Sequence, residues 1–338
     1  MKDKHTFNLT SGAIAPALLR FSLPFLGSSI LQFLYGVVDM VVVGRFSDSA
    51  GIAAVNNSSQ IMQLVTSLVC GIATGGTVLI GQYIGARQEK EAGRTVGNMV
   101  LLFTVLAAGI TALLLTLGNG LVTLMQVPAE AVDPARAYLN ICGIGTVFIV
   151  GYNVVSSILR GIGDSKRPMY FIAISCCVNI LGDLLLVGGF RLGAAGAAAA
   201  TVAAQACSVV FAVLLLVKRG LLFDIKKEDF RWNAQCPRFL KIGLPLAFQE
   251  IMTQCSFLAL CAFINRLGLE ASSGYGVACK IVNFAMLVPS ALMQSMASFV
   301  SQNVGAGKHK RAKQSMFTGM GVGLAVGCLV FCLVFLQG

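Results

Sequence analysis

Long apolar blocks constrain this chain more than any other feature of its sequence. Crossing a hydrocarbon core of about 30 Å takes about 20 helical residues at about 1.5 Å each. Nine blocks of that kind run along the sequence, at about 13–43, 52–84, 95–117, 131–159, 169–190, 193–217, 242–265, 272–304 and 314–336. Several exceed the minimum, which predicts tilt, kinks or extension beyond the lipid. Membrane barrel strands would alternate apolar and polar residues over about 10-residue segments, and the blocks do not. Charged residues make up only 12% of the chain and mean hydropathy is +0.81. A soluble domain carries roughly twice that charge. The expected fold class is all-α, a polytopic transmembrane helix bundle.

The net charge of +11 is a topology signal. With Lys2 and Lys4 placed inside, all but five of the 25 basic residues fall on that same side. The exceptions are Arg45, Arg136, Arg191 and Arg266 near outer ends and Lys280 within a span. Every second loop is basic, which predicts a multi-pass protein of the inner (plasma) membrane with a cytoplasmic N-terminus. A nucleic-acid partner would need that charge gathered on a soluble face, so none is expected. The first apolar run is too long for a cleavable signal peptide and contains Pro24. The eleven cysteines lack paired Cys-x-x-Cys spacing and His totals two, so neither zinc nor another cofactor is expected.

The longest polar stretch, Lys218–Lys241, separates six spans from three, and across it the sequence repeats weakly. At an offset of 221, Leu23-Pro24 matches Leu244-Pro245, Arg45 matches Arg266 and Ala50 matches Ala271. At 220, Gln82 matches Gln302, Gly85-Ala86 matches Gly305-Ala306, Lys90 matches Lys310 and Ala92 matches Ala312. Six spans return the chain to its starting side, so the two halves would share one orientation about an axis along the membrane normal. The expected organisation is a six-helix lobe over 1–217, a basic cytoplasmic linker over 218–241 and a partial second lobe of three helices over 242–338. A complete second repeat would run to about residue 437 by the same offset, so a C-terminal truncation of three spans is expected.

Charges inside spans cost several kcal/mol unless paired or hydrated, and four stand out: Asp39, Asp183, Glu250 and Lys280. From the outer boundary Asp39 lies about 6–7 Å deep, Asp183 about 10 Å and Thr201 about 12 Å. Asn179 precedes Asp183 by one helical turn, on the same face. These four form one outer-half layer of hard oxygen ligands, suited to Na⁺ or to a proton shared between the carboxyls. Gln32 lies two turns below Asp39 on the same helix face. For Thr201 and Gln32, hydrogen bonding between helices is the competing reading. Glu250 and Lys280 each lie about 12 Å from opposite faces, which separates them in depth and argues against a direct pair, with Lys280 either snorkelling to the interface or lining a central cavity. Leu260 takes the repeat position of Asp39, so the ion chemistry concentrates in the first half. Pro24 and Pro245 mark matched bends early in spans 1 and 7. Gly161-Ile162-Gly163-Asp164 and Gly305-Ala306-Gly307 lack the Lys and Ser/Thr of a phosphate-binding loop and read as tight turns.

Several of these segments together resemble the multidrug and toxic compound extrusion (MATE) family over the whole chain. They are Leu23-Pro24, Val38-Asp39 with Gly44-Arg45, the run Gly81-Gln82-Tyr83-Ile84-Gly85-Ala86, and Asn179-Ile180-Leu181-Gly182-Asp183 followed by Gly193–Gln205. The most specific is Leu159-Arg160-Gly161-Ile162-Gly163-Asp164-Ser165-Lys166-Arg167-Pro168-Met169. The resemblance implies two six-helix lobes and Na⁺- or H⁺-coupled antiport of organic cations by alternating access. It implies a cation-binding group of Asp39, Asn179, Asp183 and Thr201, a cavity position for Gln32 and, more distantly, for Glu250. The partners it implies are a small-molecule cation and membrane lipid, with the protein a monomer and not an enzyme. Two alternatives stay open: a lipid-linked oligosaccharide flippase of the same superfamily, and a non-transporting truncated remnant. The acidic character of the first half's buried charges favours cationic cargo over diphosphate.

Overall fold

A computed structural model describes residues 9–125, 127–220, 226–265, 275, 278–279 and 281–337. The described residues are almost wholly helical, as the apolar blocks predict, because backbone groups in lipid find partners only within a helix or a closed barrel. The long helices are α1 (Ile14–Phe46), α2 (Ser49–Gly85), α3 (Glu89–Leu124), α4 (Val132–Ile162), α5 (Lys166–Asp183), α6 (Gly193–Arg219), α7 (Gln235–Asn265), α8 (Leu287–Gly305) and α9 (His309–Gln337). Eight membrane-length apolar helices are found among the described residues, two of them extending α4 and α8 toward their N-termini. The 31-residue α7 packs along α2 beside them. At 33 residues α1 is about 50 Å long by its rise, so the helices overrun the hydrocarbon as the long blocks anticipate. Leu117, Leu329 and Phe331 face outward on the bundle surface, where lipid and not water is the solvent.

Small residues set how closely the halves approach. A Cβ on Gly85 of α2 would collide with the Gln302 carbonyl on α8, and a Cβ on Gly305 would collide with the Gln82 carbonyl on α2. Positions 82 and 302, and 85 and 305, are repeat equivalents, so the contact is reciprocal about a local two-fold. Gly75 packs on Gly243 of α7, while their equivalents, Ser295 and Ser22, meet side chain to side chain at 2.7 Å. Backbones this close leave no space for lipid or water between the inner halves of the lobes.

The segment leading into each half crosses to the other half. Ahead of α1, the carbonyls of Leu9, Thr10 and Gly12 accept from Asn303 (3.0 Å), Lys308 (2.8 Å) and Arg311 (2.6 Å). Ahead of α7, the Arg231 carbonyl accepts from Asn98 at 2.9 Å. Gln235, in the first turn of α7, accepts from Tyr83 at 2.7 Å and donates to Glu91. Tyr83 and Glu91 are the repeat equivalents of Asn303 and Arg311. Unlike side chains thus perform the same bracing, and the symmetry is in the contacts more than in the residues.

The glycine-rich segment after α4 is a turn, as its composition suggests. Gly163 closes α4 at φ 92°, a left-handed conformation that glycine adopts without steric cost. Asp164 then starts α5 by accepting from the backbone N–H groups of Lys166 and Arg167, each at 3.1 Å. Its other carboxylate oxygen lies 3.2 Å from Arg167 Nε, with side-chain exposures of only 1% and 5%. Removing one partner of such a buried pair costs about 3–5 kcal/mol. Asp164→Ala is therefore expected to lower thermal stability by about 3 kcal/mol or more, whereas Asp133→Ala, at the exposed Arg136 pair, leaves the unfolding temperature nearly unchanged.

Candidate functional site

Two polar sites lie within the bundle. The first is in the first lobe, where α1, α5 and α6 converge. Asp39 stands on α1 one turn after Tyr35, and Asp183 is the last residue of α5 before the chain widens into a π-helical stretch, Leu184–Gly189. Such widened turns expose side chains that a regular helix would bury in its own neighbours, and they recur at functional sites. Asn179, one turn earlier, reaches Thr201 of α6 at 3.4 Å. Tyr35, Ser175, Asn179, Thr201 and Gln205 line a cavity of about 10 Å³, room for one small ion or water.

The four residues singled out in sequence are therefore neighbours, and their polar atoms are mostly acceptors. The Asp39 and Asp183 carboxyls come within hydrogen-bonding range of each other. Two ionised carboxylates have no proton to donate, so that contact becomes a bond only when one of them is protonated. Among the described residues, Asp39 Oδ1, both oxygens of Asp183, Asn179 Oδ1 and Gln205 Oε1 are buried and meet no donor. Each such acceptor costs about 1–3 kcal/mol when unsatisfied, and more when charged. A proton held between the carboxyls, or a hard cation accepting oxygen ligands, would relieve the cluster. The residues present thus fit either ion.

The second site is a cavity of about 500 Å³ between the halves, walled by α2, α4, α7 and α8. Its walls are mainly apolar in exposed surface but carry many amide and hydroxyl groups, including Gln63, Thr66, Ser67, Gln249, Gln254 and Ser290. Beside it α2 and α7 cross closely, Gly71 of the lining against Ala247 and Gly75 against Gly243. Glu250 lines this cavity. Gln32 does not: its side chain is exposed on α1 and takes no part in either site. Lys280 lies outside the described residues, as do Arg266 and Ala271 of the repeat.

Sequence reasoning missed three contributors. Tyr35 and Gln205 sit one turn from Asp39 and Thr201, and i, i+4 spacing from these candidate residues could have found both. Arg160 was counted with the inner-loop charges. The structure instead folds it back along the last turn of α4 into the inter-lobe cavity, where Nε donates to the Ser156 carbonyl at 3.2 Å and Nη1 to Gln294 at 2.5 Å.

The MatE family model matches residues 24–185 and 245–337, most of the chain and both sides of the linker. The chain belongs to the MatE family. Among relatives of this MatE chain, the probable multidrug resistance protein YpnP of Bacillus subtilis is 28% identical over 90% of the chain and 68% of its own length. The probable multidrug resistance protein YoeA of the same organism is 29% identical over 89% of the chain and 66% of its own length. An outward-facing multidrug resistance MATE family transporter of the MOP superfamily shares the fold, with TM-score 0.91 at 23% identity over 99% of this chain and 74% of that one. The MatE chain thus spans about two thirds of the length of these relatives.

In this MatE chain, Asp183→Asn separates a binding cluster from an ordinary packing group. The amide supplies N–H donors to its acceptor neighbours and removes one carboxylate, so stability is expected to rise by about 1 kcal/mol. Thermal unfolding in detergent checks this. A fall of similar size would mean that the carboxylate is already satisfied by the fold.

Proposed function

We propose that this MatE protein is a cation-coupled exporter, moving small organic cations out of the cell against entry of Na⁺ or H⁺ by alternating access. The observation that carries this reading is the set of buried acceptor oxygens around Asp39 and Asp183, whose charge and geometry call for an ion. The inter-lobe cavity is the proposed cargo site. Its volume suits a drug-sized molecule, and Glu250 supplies an anionic contact for a cationic centre. The names of the two Bacillus relatives support a multidrug range of cargo. Arg160 and Glu250 are the only charged residues among those described along the cavity, which is not the strongly cationic lining that a diphosphate-linked lipid needs.

Helix α1 supplies a route for coupling. It carries Tyr35 and Asp39 in the ion cluster, Pro24 in its middle section and Ser22 in the inner contact with Ser295. Ion entry at Asp39 and Asp183 would pull α1 toward α5, and the bend at Pro24 would carry that pull to the inner lobe contact. The loop charges support an inner-membrane protein with a cytoplasmic N-terminus, and the reading treats it as a monomer.

Ethidium efflux from proteoliposomes tests the proposal, using this chain beside a version completed to the length of its relatives. An inward Na⁺ or proton gradient is expected to drive efflux in the completed form, and Asp39→Asn and Asp183→Asn each reduce it to the leak of protein-free vesicles. Ion-driven efflux surviving in both variants would contradict the assignment.

A further inference from the structure

The inter-lobe cavity carries one fixed cation as well as one fixed anion, and they come from opposite halves: Arg160 from α4 and Glu250 from α7. Both act electrostatically on Cys70 of α2, so they share one compartment. They do not neutralise each other, since among the described residues Glu250 makes no ion pair. Arg160 is held at two points, by the Ser156 carbonyl and by Gln294 across the lobe interface. Those contacts fix the guanidinium plane and leave N–H groups on the rest of its fork for a ligand. A purely cationic cargo would meet repulsion at Arg160, and a purely anionic one would meet it at Glu250.

We infer that, among organic cations, the cavity favours those that also carry a carboxylate or similar oxyanion, which seats on Arg160 while the cationic centre seats on Glu250. This rests on the proposed reading of the cavity as the cargo site. The surrounding amides and hydroxyls complete the fit, since they donate or accept at either end of such a molecule. Arg160 is thus a specificity-determining residue. A planar bidentate fork distinguishes a carboxylate from its ester, whereas a nonspecific positive charge would mainly repel cations.

The test is equilibrium binding of rhodamine B, a zwitterion with a free carboxylate, and of its ethyl ester, a monocation with the same ring system. The full chain in lipid nanodiscs is compared with empty discs. The free acid is expected to bind about tenfold more tightly than the ester. Arg160→Gln abolishes that preference by weakening the acid alone, and Glu250→Gln weakens both dyes. Equal or tighter binding of the ester to the unmodified protein would overturn the inference, as would an Arg160→Gln variant that weakens both dyes alike. Absence of saturable binding by either dye overturns the cargo-site reading itself, and this inference with it. Should Arg160→Gln fail to fold, the acid-to-ester ratio of the unmodified protein decides the matter alone, and Arg160→Lys retains only part of it.

Discussion

A carboxylate within a hydrocarbon layer is tolerated only where something inside the protein meets it, and that constraint organises this molecule. Asp39 and Asp183 cannot face lipid, so α1 and α5 turn their polar sides toward one another and toward Thr201 and Gln205 on α6. The winding at the end of α5 gives way to a π-helical stretch at this point. Lipid-facing surfaces are left to leucine and phenylalanine, and the polar cluster becomes the inner seam of the first lobe. Among the described residues the fold brings acceptors together without supplying enough donors, which is the observation behind the proposed ion site.

The same chain solves a second problem, holding two halves together in a medium that supplies no hydrophobic drive between helices. It uses close backbone approach where Gly85 and Gly305 meet Gln302 and Gln82, and hydrogen bonds from the leading segments that cross between halves. Both devices lie toward the basic side. Closure there leaves the larger cavity among α2, α4, α7 and α8, lined by both Arg160 and Glu250. An apolar cluster of Leu18, Phe21 and Phe25 on α1 with Ala291 and Phe299 on α8 backs these contacts, so opening on this side would expose buried aromatic surface.

Apolar block length made the helices legible in sequence, since the bilayer imposes a minimum span and few alternatives. The grouping of these polar residues was legible for a related reason: a buried Asp in a span is costly, and Asn179 was tied to Asp183 by helical periodicity alone. Gln32 misled because depth does not fix azimuth, and its side chain lies on the exposed side of α1. Arg160 was hidden by its position. A basic residue at the inner end of a helix satisfies the positive-inside pattern equally well whether it points to water or back into a cavity. The reciprocal bracing was also invisible residue by residue, because Asn303 and Tyr83, or Arg311 and Glu91, do the same work with different chemistry.

The central claim is that the oxygen cluster of the first lobe takes up a cation. The most direct measurement is on purified protein in nanodiscs: equilibrium binding of radioactive Na⁺ together with the infrared carboxylic-acid band, for the unmodified chain and for Asp183→Asn. The account predicts either saturable Na⁺ binding or a protonated-carboxyl band at neutral pH, and the loss of that signal in the variant. Finding neither signal in the unmodified protein, or an identical signal in Asp183→Asn, would contradict it.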